Sequence, residues 1–121
     1  MATEHFSDAE LGCHCGCGGL PTQAFQNSLE RLRMVYGKPM PVSSVYRCPD
    51  YNHEVSTTGL TGPHTIGAAD VVVRGQYAWD LIDAAQLHDW YGIGVSQKGE
   101  WGSRFIHIDR RPFDRRWIWS Y

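Results

Sequence analysis

The 121-residue chain has no block of like charge and no long apolar run, and each absence removes a class of protein. Its 11 basic and 13 acidic residues leave a formal charge of −2, so it lacks the basic footprint of a nucleic-acid binder. No window approaches the roughly 18 consecutive apolar residues of a membrane span. The opening "MATEHFSDAELGCHCG" carries acids where a secretory leader needs a positive flank followed by an apolar stretch. Synthesis for the cytosol, without an export signal of its own, is therefore expected. Cysteine is sparse, at Cys13, Cys15, Cys17 and Cys48, and in that compartment the thiols are expected to be mostly reduced. Glycine and proline, 13 and 6 residues, are too few for a disordered chain, and 42% apolar residues suit a folded one. At this length there is material for one core, so residues 1–121 read as one domain.

Within that domain the periodicities are clear. From Thr22 to Tyr36, Phe25, Leu29, Leu32 and Tyr36 recur at helical intervals, with Thr22 placed to cap the start and Gly37 to end the helix. Pro39, Pro41 and Pro49 break the following stretch and leave a short β-type segment around Val42 to Arg47. Residues 53–63, rich in Ser, Thr and Gly, read as a loop that delivers His64. The β-branched run "AADVVVR" suits a central strand ending at Gly75, and a second helix is expected from about Gln76 to Asp89. Strands at 92–97 and 104–109 are joined by the hairpin-like "KGEWGS", and the aromatic tail "WIWSY" is expected to pack back on the body. The sum is an α+β fold: a small, largely antiparallel sheet with two main helices.

Chemistry concentrates in two places. In "GPHTIGAADVVV", His64 precedes Asp70 by six positions across small neighbours, with Gly67 expected to make the turn and Ala68 and Ala69 to leave room. In "FIHID", strand alternation puts Phe105, His107 and Asp109 on one face and Ile106 and Ile108 on the other. Histidine and carboxylate are ordinary zinc ligands, and a catalytic zinc takes three protein ligands, leaving one position open. His64, Asp70 and His107 supply such a set. Singly, each has a plainer explanation: a core histidine on a strand, an aspartate capping a turn, a solvent-facing loop histidine. Their combination is what points to a metal.

Several separate segments in order carry a resemblance: "FQNSLERLRMVYGKPMPV", "SSVYRCPDYN", "GPHTIGAAD", "RFIHID" and the closing "WIWSY". The chain resembles the M15 family of zinc D-Ala-D-Ala carboxypeptidases and peptidoglycan endopeptidases, in particular their small phage and prophage forms. The family pattern Ser-x-His-x-x-Gly-x-Ala-x-Asp is met by His64, Gly67, Ala69 and Asp70, with Gly62 in place of the serine. Here the aspartate follows the histidine by six positions where the family usually has seven. A residue lost from the turn leaves Asp70 facing the metal, whereas one lost from the strand would flip it to the other face. The turn is the favoured place. A second departure is Arg104, which stands where many members carry a Glu or Asp as general base, three positions before the last ligand.

The resemblance implies a hedgehog/D-Ala-D-Ala-peptidase-like fold with Zn2+ held at the sheet by His64, Asp70 and His107. It implies that Arg47, with Ser44 in support, contacts the substrate carboxyl or the developing oxyanion. For the base, Asp109 is the first candidate and Glu100 the second, while Asp109 as a carboxylate that orients a ligand histidine is the equal alternative. The implied substrate is the peptidoglycan stem peptide, cut at a bond involving a D-amino acid by a monomer that reaches the wall after release or as part of a virion. The motifs do not choose between carboxypeptidase and endopeptidase cleavage. With Arg104 at the base position, a non-catalytic zinc protein that binds the wall or another protein is the alternative, and a phage structural protein whose histidines bind nothing is a third. The Cys-x-Cys-x-Cys run with Cys48 leaves a structural metal open, since such sites usually show Cys-x-x-Cys, and His14 is a possible substitute for one thiol.

Overall fold

The computed structural model describes residues 3–121. A short helix α1 (Asp8–Leu11) starts at a reciprocal cap, in which Ser7 accepts from the Glu10 amide and the Glu10 carboxylate accepts from that of Ser7. Helix α2 (Gln23–Tyr36) begins where Thr22 Oγ1 accepts from the Phe25 amide and ends at Gly37, whose φ of 74° is the left-handed conformation that glycine adopts without strain. The next elements are β1 (Val42–Ser44), α3 (Pro49–Val55), β2 (Ala68–Val71), α4 (Gly75–Leu87), β3 (Gly92–Ser96), β4 (Phe105–Asp109) and β5 (Trp117–Ser120). Single 3-10 turns punctuate the loops, one of them over Pro63–Thr65.

Five strands form one sheet in the order β1-β2-β4-β3-β5. All neighbours are antiparallel except β3 and β5, so the tail is a parallel edge strand. The expected α+β architecture with a largely antiparallel sheet and two main helices is what forms. Some details differ. Residues 53–55, expected in the Ser-, Thr- and Gly-rich loop of 53–63, belong instead to α3, which Pro49 opens in the first helical turn, where its missing N–H costs nothing. The run "AADVVVR" pairs only through Val71, and Gly75 opens α4 rather than closing the strand.

Two layers result. Ile106 and Ile108 of β4, with Ala69, Val71 and Ile93 from its neighbours, face Leu29, Leu32, Leu81 and Ala85 of α2 and α4 in one buried cluster. The ring of Phe25 meets Trp90 edge-on, with centroids 5.5 Å apart. The opposite face of the sheet carries the polar residues. One row of cross-strand partners runs Ser44, Asp70, His107, Gly94, Trp119 through all five strands. Gly94 is bare because a Cβ there would lie 2.7 Å from the Trp119 indole, and Gly92 because a Cβ would lie 2.0 Å from the Asp109 carboxylate. These glycines let large side chains lie across β3.

Gly67 closes the turn, its amide donating to the Pro63 carbonyl, but what demands a glycine there is packing. A Cβ at this position would stand 2.6 Å from the Phe25 ring, so the residue is small to let α2 pack against the start of β2. Gly67→Ala should cost about 1–3 kcal/mol in denaturant unfolding. In a Phe25→Ala background the added cost should largely vanish; an undiminished penalty would show that Phe25 is not the cause.

Candidate metal centre

On the polar face an open cleft of about 560 Å³ is lined by His64, Asp70 and His107 at its floor, with Arg47, Trp119 and Tyr121 around them. The three floor residues are buried. Strand pairing delivers two of them, since Asp70 on β2 is the direct partner of His107 on β4. His64 comes from the 3-10 turn, whose Ile66 and Gly67 amides bond back to the Pro63 carbonyl. With six positions between them, both side chains still reach the same point. Asp70 Oδ1 lies 3.2 Å from His64 Nε2 and 3.0 Å from His107 Nδ1. Ligands about 2.0–2.1 Å from a tetrahedral zinc stand about 3.3 Å apart, so these separations need little adjustment.

The other ring nitrogens decide what the inner ones can do. His64 Nδ1 is 2.7 Å from the Val45 carbonyl, which can only accept, so Nδ1 carries the hydrogen. His107 Nε2 is 2.9 Å from Asp109 Oδ2 and donates to it. In the neutral rings, His64 Nε2 and His107 Nδ1 therefore present lone pairs to the carboxylate oxygen between them. Three acceptors converging in a buried place repel one another unless protons or a cation sits among them. Burial works against the charged form of His107, but hydrogen bonds that the ring donates to Asp109 and Asp70 outweigh it and raise its pKa. Burial likewise opposes ionisation of Asp70, yet its contacts with His107 and His64 hold its carboxyl well below the usual range. The donor set fits a divalent metal: two imidazole nitrogens, one carboxylate oxygen, and hydrogen-bond partners that hold each ring in the ligating tautomer.

Asp109 sits beside His107 as strand alternation requires, but on the side away from Asp70. Both its oxygens are engaged: Arg111 donates to Oδ1 through Nε and to Oδ2 through Nη2, each at 2.8 Å, and the Arg111 amide also donates to Oδ1. Burial opposes its ionisation, and the Arg111 fork together with His107 keeps it well below the ordinary carboxylate range. This is the geometry of a carboxylate that orients a histidine. Glu100 is exposed on the β3–β4 connection and does not line the cleft. Arg104 turns its guanidinium to the Gly99 carbonyl and over the Trp101 ring. Among the described residues, Asp70 is the one carboxylate lining the cleft.

Arg47 lies beyond β1, which ends at Ser44 rather than continuing to Arg47 as expected, yet its side chain reaches the cleft. Its Nε donates to Ser44 Oγ and its Nη1 to Asn52 Oδ1, both at 3.2 Å, while Nη2 stands 3.8 Å from Asp70 Oδ2. Its amide donates to the His64 carbonyl, tying cation and ligand together. Three contributors escape the sequence reading: Arg111, Trp119, whose ring centroid is 4.9 Å from that of His107, and Tyr121 at the cleft edge. Only Arg111 had a signal, as the next alternate position after His107 and Asp109. Burial, the largest cause, pushes the Tyr121 phenol above its ordinary value, and a hydrogen bond with Trp119 works in the opposite direction.

A Peptidase M15 family model matches residues 4–109. The chain belongs to the Peptidase M15 family. The match takes in Arg47 and every residue of the His-Asp-His set, and the family is one of zinc-dependent peptidases in general. No curated relative matches the sequence.

If Asp109 holds His107 in its ligating tautomer, Asp109→Ala should weaken zinc at this site about 10–100-fold without abolishing it. Competition against a chromophoric chelator measures this, and unchanged affinity would remove Asp109 from the site.

Proposed function

We propose that this M15 member is a zinc peptidase that cleaves peptidoglycan stem peptides at a bond involving a D-amino acid. The observation that carries the reading is the convergence of His64 Nε2, Asp70 Oδ1 and His107 Nδ1 at the floor of an open cleft with the Arg47 guanidinium above it. Zinc, when bound by this set, supplies Lewis acidity and lowers the pKa of water toward about 7.

The chain's own residues do the rest. Asp109, clamped by Arg111, keeps the His107 ring from turning and leaves Nδ1 directed at the cleft. The Val45 carbonyl does the same for His64. Arg47, held by Ser44 and Asn52, offers a fixed planar cation to a peptide carboxylate or to negative charge developing on the scissile carbonyl oxygen. Asp70 Oδ2 makes no contact with either imidazole and stands 3.8 Å from Arg47 Nη2; burial opposes its ionisation, but the contacts with His107 and His64 keep this carboxylate ionised, as a ligand rather than as a base. Trp119 and Tyr121 give the peptide an apolar wall, and the 55–58 segment lines the opposite side. The openness of the cleft suits a cross-linked wall polymer reached after release or from a virion, and a monomer suffices.

A second reading rests on Arg104 and on the lack of any other carboxylate along the cleft among the described residues. On that reading the fold keeps its metal but serves as a wall-binding or interaction module.

Digestion of purified peptidoglycan separates the two. Zinc-replete protein should release new amines or peptides, and chelation should stop it; no release with zinc bound leaves the binding module. Mass spectrometry of the products then names the bond. Arg47→Ala should keep the zinc of the His-Asp-His site and lower turnover about 10²–10³-fold. A near-normal rate would exclude Arg47 from the reaction.

A further inference from the structure

Outside the cleft, the four cysteines gather at one point although their Cys-x-Cys-x-Cys spacing is not the usual Cys-x-x-Cys of such sites. Cys13, Cys15 and Cys17 come from the turn after α1, and Cys48 comes from the residue that caps α3. Cys13 Sγ lies 3.4 Å from Cys15 Sγ, Cys15 Sγ lies 3.7 Å from Cys48 Sγ, and all four sulfurs are within 4.8 Å of one another. Sulfurs bound about 2.3 Å from a tetrahedral zinc stand about 3.8 Å apart. The cluster already has that size.

The turn is built for the purpose. Gly16, between Cys15 and Cys17, and Gly18, after Cys17, take left-handed φ values of 86° and 80°, and the loop curls so that all three of its thiols share one point with Cys48. The Cys13 amide donates to the Gly19 carbonyl and closes the loop. Three more amides point at sulfur: Cys48 to Cys13 Sγ at 3.3 Å, Gly19 to Cys17 Sγ at 3.3 Å and Tyr51 to Cys48 Sγ at 3.4 Å. N–H groups aimed at sulfur stabilise thiolate charge and have little reason to collect around neutral thiols. His14 is exposed and not part of the cluster.

We propose that Cys13, Cys15, Cys17 and Cys48 hold a second zinc ion as a closed, structural tetrathiolate. A sulfur-only tetrahedral set leaves no open position, so this ion is a staple. It joins the N-terminal segment to the residue directly after Arg47 and to the start of α3, whose Asn52 holds the Arg47 guanidinium. The Tyr46 amide already bonds to the Leu11 carbonyl across the same junction. Each thiol that ligates gives up its proton to solvent, and no oxidant or reductant is needed.

The assignment is independent of the peptidase reading. Zinc-replete wild-type protein should contain two zinc ions per chain by elemental analysis. His64→Ala/His107→Ala protein should keep one, and Cys17→Ser/Cys48→Ser protein should also keep one. Cobalt-reconstituted wild-type and His64→Ala/His107→Ala proteins should both show intense thiolate-to-cobalt charge-transfer absorption, and the double serine variant should not. Should the serine variant fail to fold, titration of native wild-type protein with a mercurial reagent gives the answer: one zinc released for every four thiols supports the staple. One zinc per chain with four freely reactive thiols, two disulfides by mass, or iron in place of zinc would each overturn it.

Discussion

The pairing of Asp70 with His107 across β2 and β4 is the contact on which the rest of the molecule depends. It joins a carboxylate to an imidazole on the polar face of the sheet, while the adjacent positions, Ala69, Val71, Ile106 and Ile108, bury their side chains under α2 and α4. Alternation along a strand makes these two outcomes inseparable. A one-residue slip would expose the core residues and bury the charged ones, so the register that stabilises the fold is also the register that assembles the site. The metal centre therefore inherits its precision from hydrophobic burial on the reverse side.

Around that pair, bulk is removed wherever a functional side chain must lie flat on the sheet. Gly94 admits Trp119, which packs on His107, and Gly92 admits the Asp109 carboxylate, which fixes the same ring from the other edge. Arg111 then holds Asp109, and its guanidinium also stacks over Trp119 with 5.0 Å to the ring centroid. Each partner of His107 is thus itself held by another. The arginine on the opposite wall depends on a separate construction, the junction between the N-terminal segment and α3, where the four sulfurs meet.

Much of this was legible from the residues. The helical spacing of Phe25, Leu29, Leu32 and Tyr36 and the flanking Thr22 and Gly37 are local signals, and α2 follows them closely. The ligand candidates were readable because imidazole and carboxylate in apolar strands are unusual, and because alternation in "FIHID" sorts ligand from core without further information. Less was visible in α4, where the buried stripe is Ala78, Leu81 and Ala85, while Tyr77 is half exposed and offers its carbonyl to the Tyr36 hydroxyl. The small Ala78 takes the buried position because α2 approaches closely there. Gly67 was likewise legible as a needed small residue and illegible as to why.

By itself the sequence determined the periodicities, the caps and the face on which each strand residue falls, because these depend on neighbours a few positions apart. It also determined which side chains had the chemistry to bind a metal. Only the tertiary structure decided that the tail joins β3 in parallel, that Asp109 spends both oxygens on His107 and Arg111, and that Cys48 joins three cysteines more than thirty positions earlier. Such contacts close long loops, and their geometry is set by the packing of two helices on one sheet. No local pattern encodes that distance, so the chemistry was readable in the chain while its division of labour waited on the fold.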